Sequence, residues 1–215
     1  MKLIRKNSIS EFYEKKSRFI GYAFHVTSKE EADEIISELW KEHRKATHIC
    51  TAIQLGLSDK WSDFDDNGEP SLTAGYPMLQ VLEAQDIRQV LICSVRYFGG
   101  IKLGKGGLIR AYTKSCQLAL EESGLKEVLR VQKYRLSYDY SHHGSLDYIL
   151  AKEEVLGLEP LYSEYVTRDI YLQDQGPLIE IRNATDARVE ELYLGSFYLD
   201  PANKMEELEE IIEIE

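Results

Sequence analysis

VLICSVRYFGGIKLGKGGLIR, residues 90–110, decides how this chain is read. Val90 to Tyr97 is an almost unbroken run of apolar strand formers, the pattern of a strand covered on both faces. Gly99, Gly100, Gly104, Gly106 and Gly107 then put five glycines into nine residues. From Leu108 to Ser123 the spacing predicts a helix, and Gly124 supplies its stop. A strand, a glycine loop over 98–107 and a helix, in that order, turn the helix's free N–H groups and positive dipole end toward the loop. Glycine lets backbone approach a ligand closely, so the junction suits a phosphate or another anion.

Charge sharpens this reading. No acidic residue lies between Asp86 and Glu121, whereas Arg88, Arg96, Lys102, Lys105, Arg110 and Lys114 all do. The net charge of −11 is carried elsewhere: residues 1–125 hold 17 basic and 17 acidic side chains, 126–199 hold 8 and 13, and 200–215 hold 1 and 7. Fields are screened beyond about 8–10 Å at physiological salt, so a basic patch attracts anions even on an acidic chain. The expected anion or nucleic-acid site is Arg96, Gly99, Gly100, Lys102, Gly104, Lys105, Gly106, Gly107, Arg110 and Lys114. Arg110 and Lys114 share a helix face opposite Leu108, Tyr112 and Ala119. Gly99-x4-Gly104-Lys105 matches the start of a nucleotide P-loop, but Gly106 stands where that motif needs a hydroxyl for magnesium, so nucleotide hydrolysis is not expected. The plainer alternative is a tight strand-to-helix connection with solvated lysines.

Upstream, residues 11–26 read as a strand. Ser28 with Glu31 forms a capping box for an amphipathic helix over 29–43, and His48 to Leu57 reads as a strand. Residues 58–72 are polar and carry the turn signals Asn67-Gly68 and Glu69-Pro70, which predict a long loop. Thr73 to Ala84 fits a short helix with Pro77 in its first turn. The acids of the loop, Asp63, Asp65, Asp66 and Glu69, lack EF-hand spacing; a solvated turn with Asp capping backbone is the main reading. The alternative makes Asp65, Asp66 and Glu69 cleft carboxylates that pair with the basic loop. Trp40 and Trp61 read as packing residues and His48 as structural. Cys50, Cys93 and Cys116 form no CxxC and sit among apolar residues, which predicts buried thiols. No catalytic set, metal site or cofactor is expected, since no GxSxG or HExxH occurs.

Downstream the pattern restarts: a strand over 128–140, a helix over 142–153, a strand over 161–172, a helix over 177–192 and a short strand over 196–199. That order predicts a small split βαβ domain. The expected division is 1–125, 126–200 and an acidic tail over 201–215, where Met205, Leu208, Ile211 and Ile212 keep helical spacing. No apolar run approaches the roughly 18–20 residues of a membrane span, and the N-terminus has no apolar core of a signal peptide. A cytoplasmic protein is expected.

Lys16-Ser17-Arg18-Phe19-Ile20, Ala46-Thr47-His48, Asn67-Gly68-Glu69-Pro70-Ser71, Thr73-Ala74-Gly75 with Pro77, Val95 through Gly104, and Gly107 through Tyr112 together resemble the YigZ/IMPACT family. The stretch Arg96-Tyr97-Phe98-Gly99-Gly100 followed by Lys102-Leu103-Gly104 is its most specific signature. The resemblance covers about residues 1–125 and extends more weakly over 130–199. It implies an α+β protein: an N-terminal α/β sandwich like the second domain of a small-subunit ribosomal protein and the fourth domain of elongation factor G, then a ferredoxin-like domain like that factor's fifth. It also implies a link to translation, because eukaryotic relatives regulate translation under amino-acid starvation by competing for the activator of a kinase. Departures fall at Asn67, where the family usually has Asp, at Leu72, where it has Gly, and at Tyr76, where it has Arg. The expected function is non-enzymatic binding of RNA, the ribosome or a phosphate-bearing ligand through residues 96–114. A protein partner meeting Asp63 to Glu69, and a hydrolase working between the acids and lysines, are the alternatives.

Overall fold

The computed structural model describes residues 1–200 and the strand at 213–214. The chain divides into two units, Met1–Lys126 and Glu127–Glu215. The first runs β1 (Lys2–Ile4), β2 (Ser8–Glu14), β3 (Ser17–His25), α1 (Lys29–Glu42), β4 (His48–Leu55), β5 (Trp61–Asp65), α2 (Gly75–Gln85), β6 (Val90–Tyr97) and α3 (Lys105–Ser123), and β7 (Leu125–Glu127) follows and pairs with β1.

Five strands form an antiparallel sheet in the order β2-β3-β6-β4-β5, so β6 is central. Period-two alternation along β6 sorts the core into two. Val90 and Ile92 join Phe19, Ala23, Cys50 and Ala52 on the face covered by α2 and α3. Leu91, Cys93 and Val95 join Ile20, Tyr22, Ile49 and Ile53 on the face that meets α1. Sheet and α3 come close enough for Ser94 Oγ to donate to Ser115 Oγ at 2.8 Å, which satisfies both hydroxyls in the core. At the start of α1 Ser28 Oγ accepts from Glu31 N, but the Glu31 carboxylate accepts from Thr27 N rather than from Ser28, a capping box displaced by one residue.

Three sequence expectations of the first unit are corrected. Residues 11–26 are a hairpin, because Lys15 and Lys16 both adopt positive φ (46° and 68°). A two-residue loop with φ > 0 at both positions matches the strand twist, yet its usual marker is Asn-Gly, which is absent. The expected loop over 58–72 contains β5, an edge strand of alternating exposure whose Ser and Asp residues mask it. The glycine loop ends at Gly104, so Gly106 and Gly107 belong to the first turn of α3.

The second unit runs β8 (Leu129–Tyr138), α4 (His143–Lys152), β9 (Leu156–Gly157), β10 (Leu161–Tyr162), β11 (Val166–Leu172), α5 (Gly176–Ala184), β12 (Glu190–Leu199) and β13 (Glu213–Ile214). Its sheet order is β10-β11-β8-β12-β13, with β9 also on β11. With β10–β11 taken as a hairpin, this is the ferredoxin-like split βαβ topology. Leu136, Leu146, Ile149, Ile170, Leu178 and Ile181 close the core between sheet and helices. The helix expected over 177–192 stops at Ala184: Asp186 and Ala187 turn the chain through positive φ, and a ten-residue strand starts at Glu190. Met205, Leu208, Ile211 and Ile212, whose helical spacing was noted in the acidic tail, lie outside the described residues; Glu213–Ile214 pairs with β12. The fold is mixed α+β, and among the described residues no helix is long and apolar enough to cross a membrane.

Cys50, Cys93 and Cys116 are all fully buried, and burial pushes each thiol well above its ordinary pKa. The folded chain is therefore expected to resist an aromatic disulfide reagent at mildly alkaline pH and to react at all three thiols once denatured. Rapid labelling of the native protein, followed by absorbance, is the contrary result.

Candidate functional site

The site is built where β6 turns into α3. Between Phe98 and Gly104 the chain passes against the β2–β3 turn so closely that a Cβ on Gly99 would stand 2.0 Å from the Lys16 carbonyl oxygen. Gly104, at φ 74° and ψ 164°, occupies a backbone region open essentially to glycine and sets the N-terminus of α3. No side chain caps that helix, and its first turn holds no acid. Its leading N–H groups and dipole end are left for solvent or a ligand.

A cleft of about 440 Å³ opens beside this turn. Phe98, Pro70, Leu103 and Leu108 give it apolar walls, and Lys102 and Lys105 stand exposed at its rim. Its polar floor is a buried network. Arg96, 4 % exposed, donates from Nη1 to Glu69 and from Nη2 to Ser17 Oγ at 3.3 Å, with its guanidinium 5.5 Å from the rings of both Phe19 and Phe98. Glu69 Oε1 also accepts from Tyr112 Oη at 2.8 Å. Burial drives the Tyr112 phenol far above its ordinary range, so it stays a donor. His48 donates from Nδ1 to the Asn67 carbonyl at 2.8 Å, which leaves Nε2 facing Glu69 at 3.9 Å.

The expected site residues divide accordingly. Arg96 is corrected from a surface cation to an internal ion pair, because β6 points it into the core face, where only a carboxylate can offset its desolvation. Lys102, Lys105 and Arg110 surround the first turn of α3, and Arg110 lies over Gly106, within 3.6 Å of where a Cβ would be. Lys114 lies farther along the helix, its Nζ 4.7 Å from the Phe12 ring centroid. Among the described residues none of these four cations has a carboxylate within ion-pair reach. Arg88, at the other end of β6, pairs with Asp86 at 2.7 Å. Gly99, Gly100 and Gly104 shape the loop, whereas Gly106 and Gly107 lie in the helix.

Of the three expected cleft carboxylates only Glu69 reaches the cleft. Asp66 accepts from Leu72 N, Ala74 N and Gly75 N at 2.6, 2.8 and 2.9 Å and so holds the entry to α2. Asp65 accepts from Asn67 N at 2.7 Å in an Asx turn. Among the described residues no group of three or more His, Cys, Asp and Glu is arranged to hold a metal. Two further cations belong to the surface, Lys15 and Lys16, exposed in the turn that abuts Gly99. Their sequence distance from residue 99 hides them; the signal is structural, the register that pairs Arg18 with Tyr97.

Removing one partner of the buried pair strands the other charge. Glu69→Ala is expected to lower the unfolding free energy by about 3–5 kcal/mol, and Glu69→Leu with Arg96→Met to recover most of it. Urea unfolding of the three proteins checks this; equal losses in the single and double variants would count against the pair as the cause.

The family model for the Impact N-terminal domain matches residues 15–120. The chain is 41% identical over 160 residues to the IMPACT family member YvyE of Bacillus subtilis, covering 74% of each protein. It is 34% identical over 140 residues to the IMPACT family member YigZ of Escherichia coli, covering 64% of this chain and 69% of that one. A crystal structure described as a hypothetical protein superposes over 89% of this chain and 95% of its own, with a TM-score of 0.57 and 26% identity. The matched segment contains the β6–α3 junction and the Glu69–Arg96 network, and the chain belongs to the IMPACT family.

Proposed function

We propose that this chain is a non-enzymatic binding protein that takes RNA phosphates, on the ribosome or on free RNA, at the first turn of α3. The observation that carries the reading is the set Lys102, Lys105 and Arg110, exposed and without carboxylate partners among the described residues, around a helix N-terminus that no side chain caps. Lys15 and Lys16 extend that surface across Gly99. Phosphate contacts of this kind give affinity without sequence readout.

A binding role is favoured over catalysis because the carboxylate that lines the cleft is engaged: Glu69 holds Arg96 and Tyr112. Of the acids that a protein partner was expected to meet, Asp66 is occupied by backbone N–H groups and Glu69 by Arg96, which narrows that alternative to the exposed Asp63 and Asp65 of β5. A role in regulating translation accords with membership of a family whose eukaryotic members act there.

Filter binding of a generic RNA oligonucleotide tests the reading. Affinity is expected to fall about 30–100-fold between about 50 and 200 mM salt, as for roughly four phosphate contacts. Lys102→Glu with Lys105→Glu is expected to weaken binding at least about tenfold at low salt. No measurable binding at about 50 mM salt, or an unchanged affinity in the double variant, would refute it.

A further inference from the structure

The two faces of the first unit's sheet are covered unequally. On one face α3 lies over β2 and β3, and α2 over β4 and β5. Among the described residues the other face meets a single helix, α1. Five strands at about 4.8 Å spacing span roughly 19 Å, about twice the diameter of a helix with its side chains. One helix therefore leaves the β2 edge of that face open, where Ile9 and Tyr13 are exposed.

The uncovered strip is a groove of about 630 Å³ beside α1. Its floor is apolar: Tyr22 and Phe24 stack with ring centroids 5.7 Å apart, and Ile9 on the edge strand β2 is 59 % exposed. Its wall is α1, and the groove side of α1 carries Glu31, Glu34, Glu38 and Glu42 at helical i, i+3 and i+4 spacing. Glu34 has no partner among the described residues, Glu38 meets only Lys41 of its own helix, and Glu42 stands 3.8 Å from His43 Nε2. A row of carboxylates along an apolar trough repels an acidic segment, so residues 200–215, with 1 basic and 7 acidic side chains, have the wrong sign for it.

We infer that this groove is a docking site for a basic amphipathic helix of a partner protein. The occupant lays an apolar stripe over Ile9, Tyr22 and Phe24 and sets Lys or Arg against the Glu34–Glu38 row, the helix-in-groove mode of recognition. It supplies the second helix that this face lacks. The surface is separate from the basic turn at α3, so neither assignment depends on the other.

The test uses the full chain and a fluorescein-labelled synthetic helix of about five turns, with a leucine stripe flanked by lysines, followed by anisotropy. Saturable micromolar binding is expected, weakened about tenfold by Glu34→Lys with Glu38→Lys and by Ile9→Asp. Glu121→Lys with Glu122→Lys, exposed on α3, changes the net charge equally and is expected to leave binding unchanged. The inference is overturned by no saturation up to about 100 μM, by equal binding of the same peptide with glutamates in place of lysines, or by equal loss in both charge-reversed proteins. A dimer that Ile9→Asp dissociates in sedimentation would give the groove to a second copy and overturn the basic-helix assignment.

Discussion

The buried contact between Arg96 and Glu69 ties together three segments far apart in the chain. Arg96 is the penultimate residue of the central strand, Glu69 sits in the turn between β5 and α2, and Tyr112 brings α3 to the same carboxylate. A guanidinium in a core is costly unless its charge is met; Glu69 meets that of Arg96, while Arg96 Nε has no hydrogen-bond partner among the described residues. Here that requirement fixes the direction in which the chain leaves β6, and with it the path of the glycine loop and the start of α3. Two phenyl rings, each 5.5 Å from the guanidinium carbon, add cation–π attraction to the pair.

The neighbouring turn serves the same end by other means. Asp66 gathers three backbone N–H groups and presents α2, so hydrogen bonds to one carboxylate hold the 66–75 turn together. His48, oriented by the Asn67 carbonyl, packs against this turn from β4. The cleft is thus firm at its floor and open at its rim, where the lysines stand on long flexible stems.

Much of this was legible in the residues. The apolar run 90–97, the capping residues of α1 and the terminal Gly124 announced their elements because each is a local signal. The glycine-rich junction was legible as an uncapped helix start among cations for the same reason, since helix start and cation content are both properties of contiguous sequence. What could not be read was pairing across distance. Arg96 looks like its neighbouring cations until the sheet's alternation turns it inward toward a glutamate 27 positions earlier. Lys15 and Lys16 give no hint of a turn, because tertiary packing against Gly99 rather than intrinsic preference holds them in the left-handed region. Asp186 and Ala187 concealed the end of α5 in the same way.

The β2–β3 turn carries its own trade-off. Left-handed backbone disfavours lysine, and an asparagine–glycine pair would fold there with less strain. Such a pair would also strip two positive charges from the rim beside the glycine loop. Easier folding at residues 15–16 would thus come at the expense of the positive charge that stands beside Gly99.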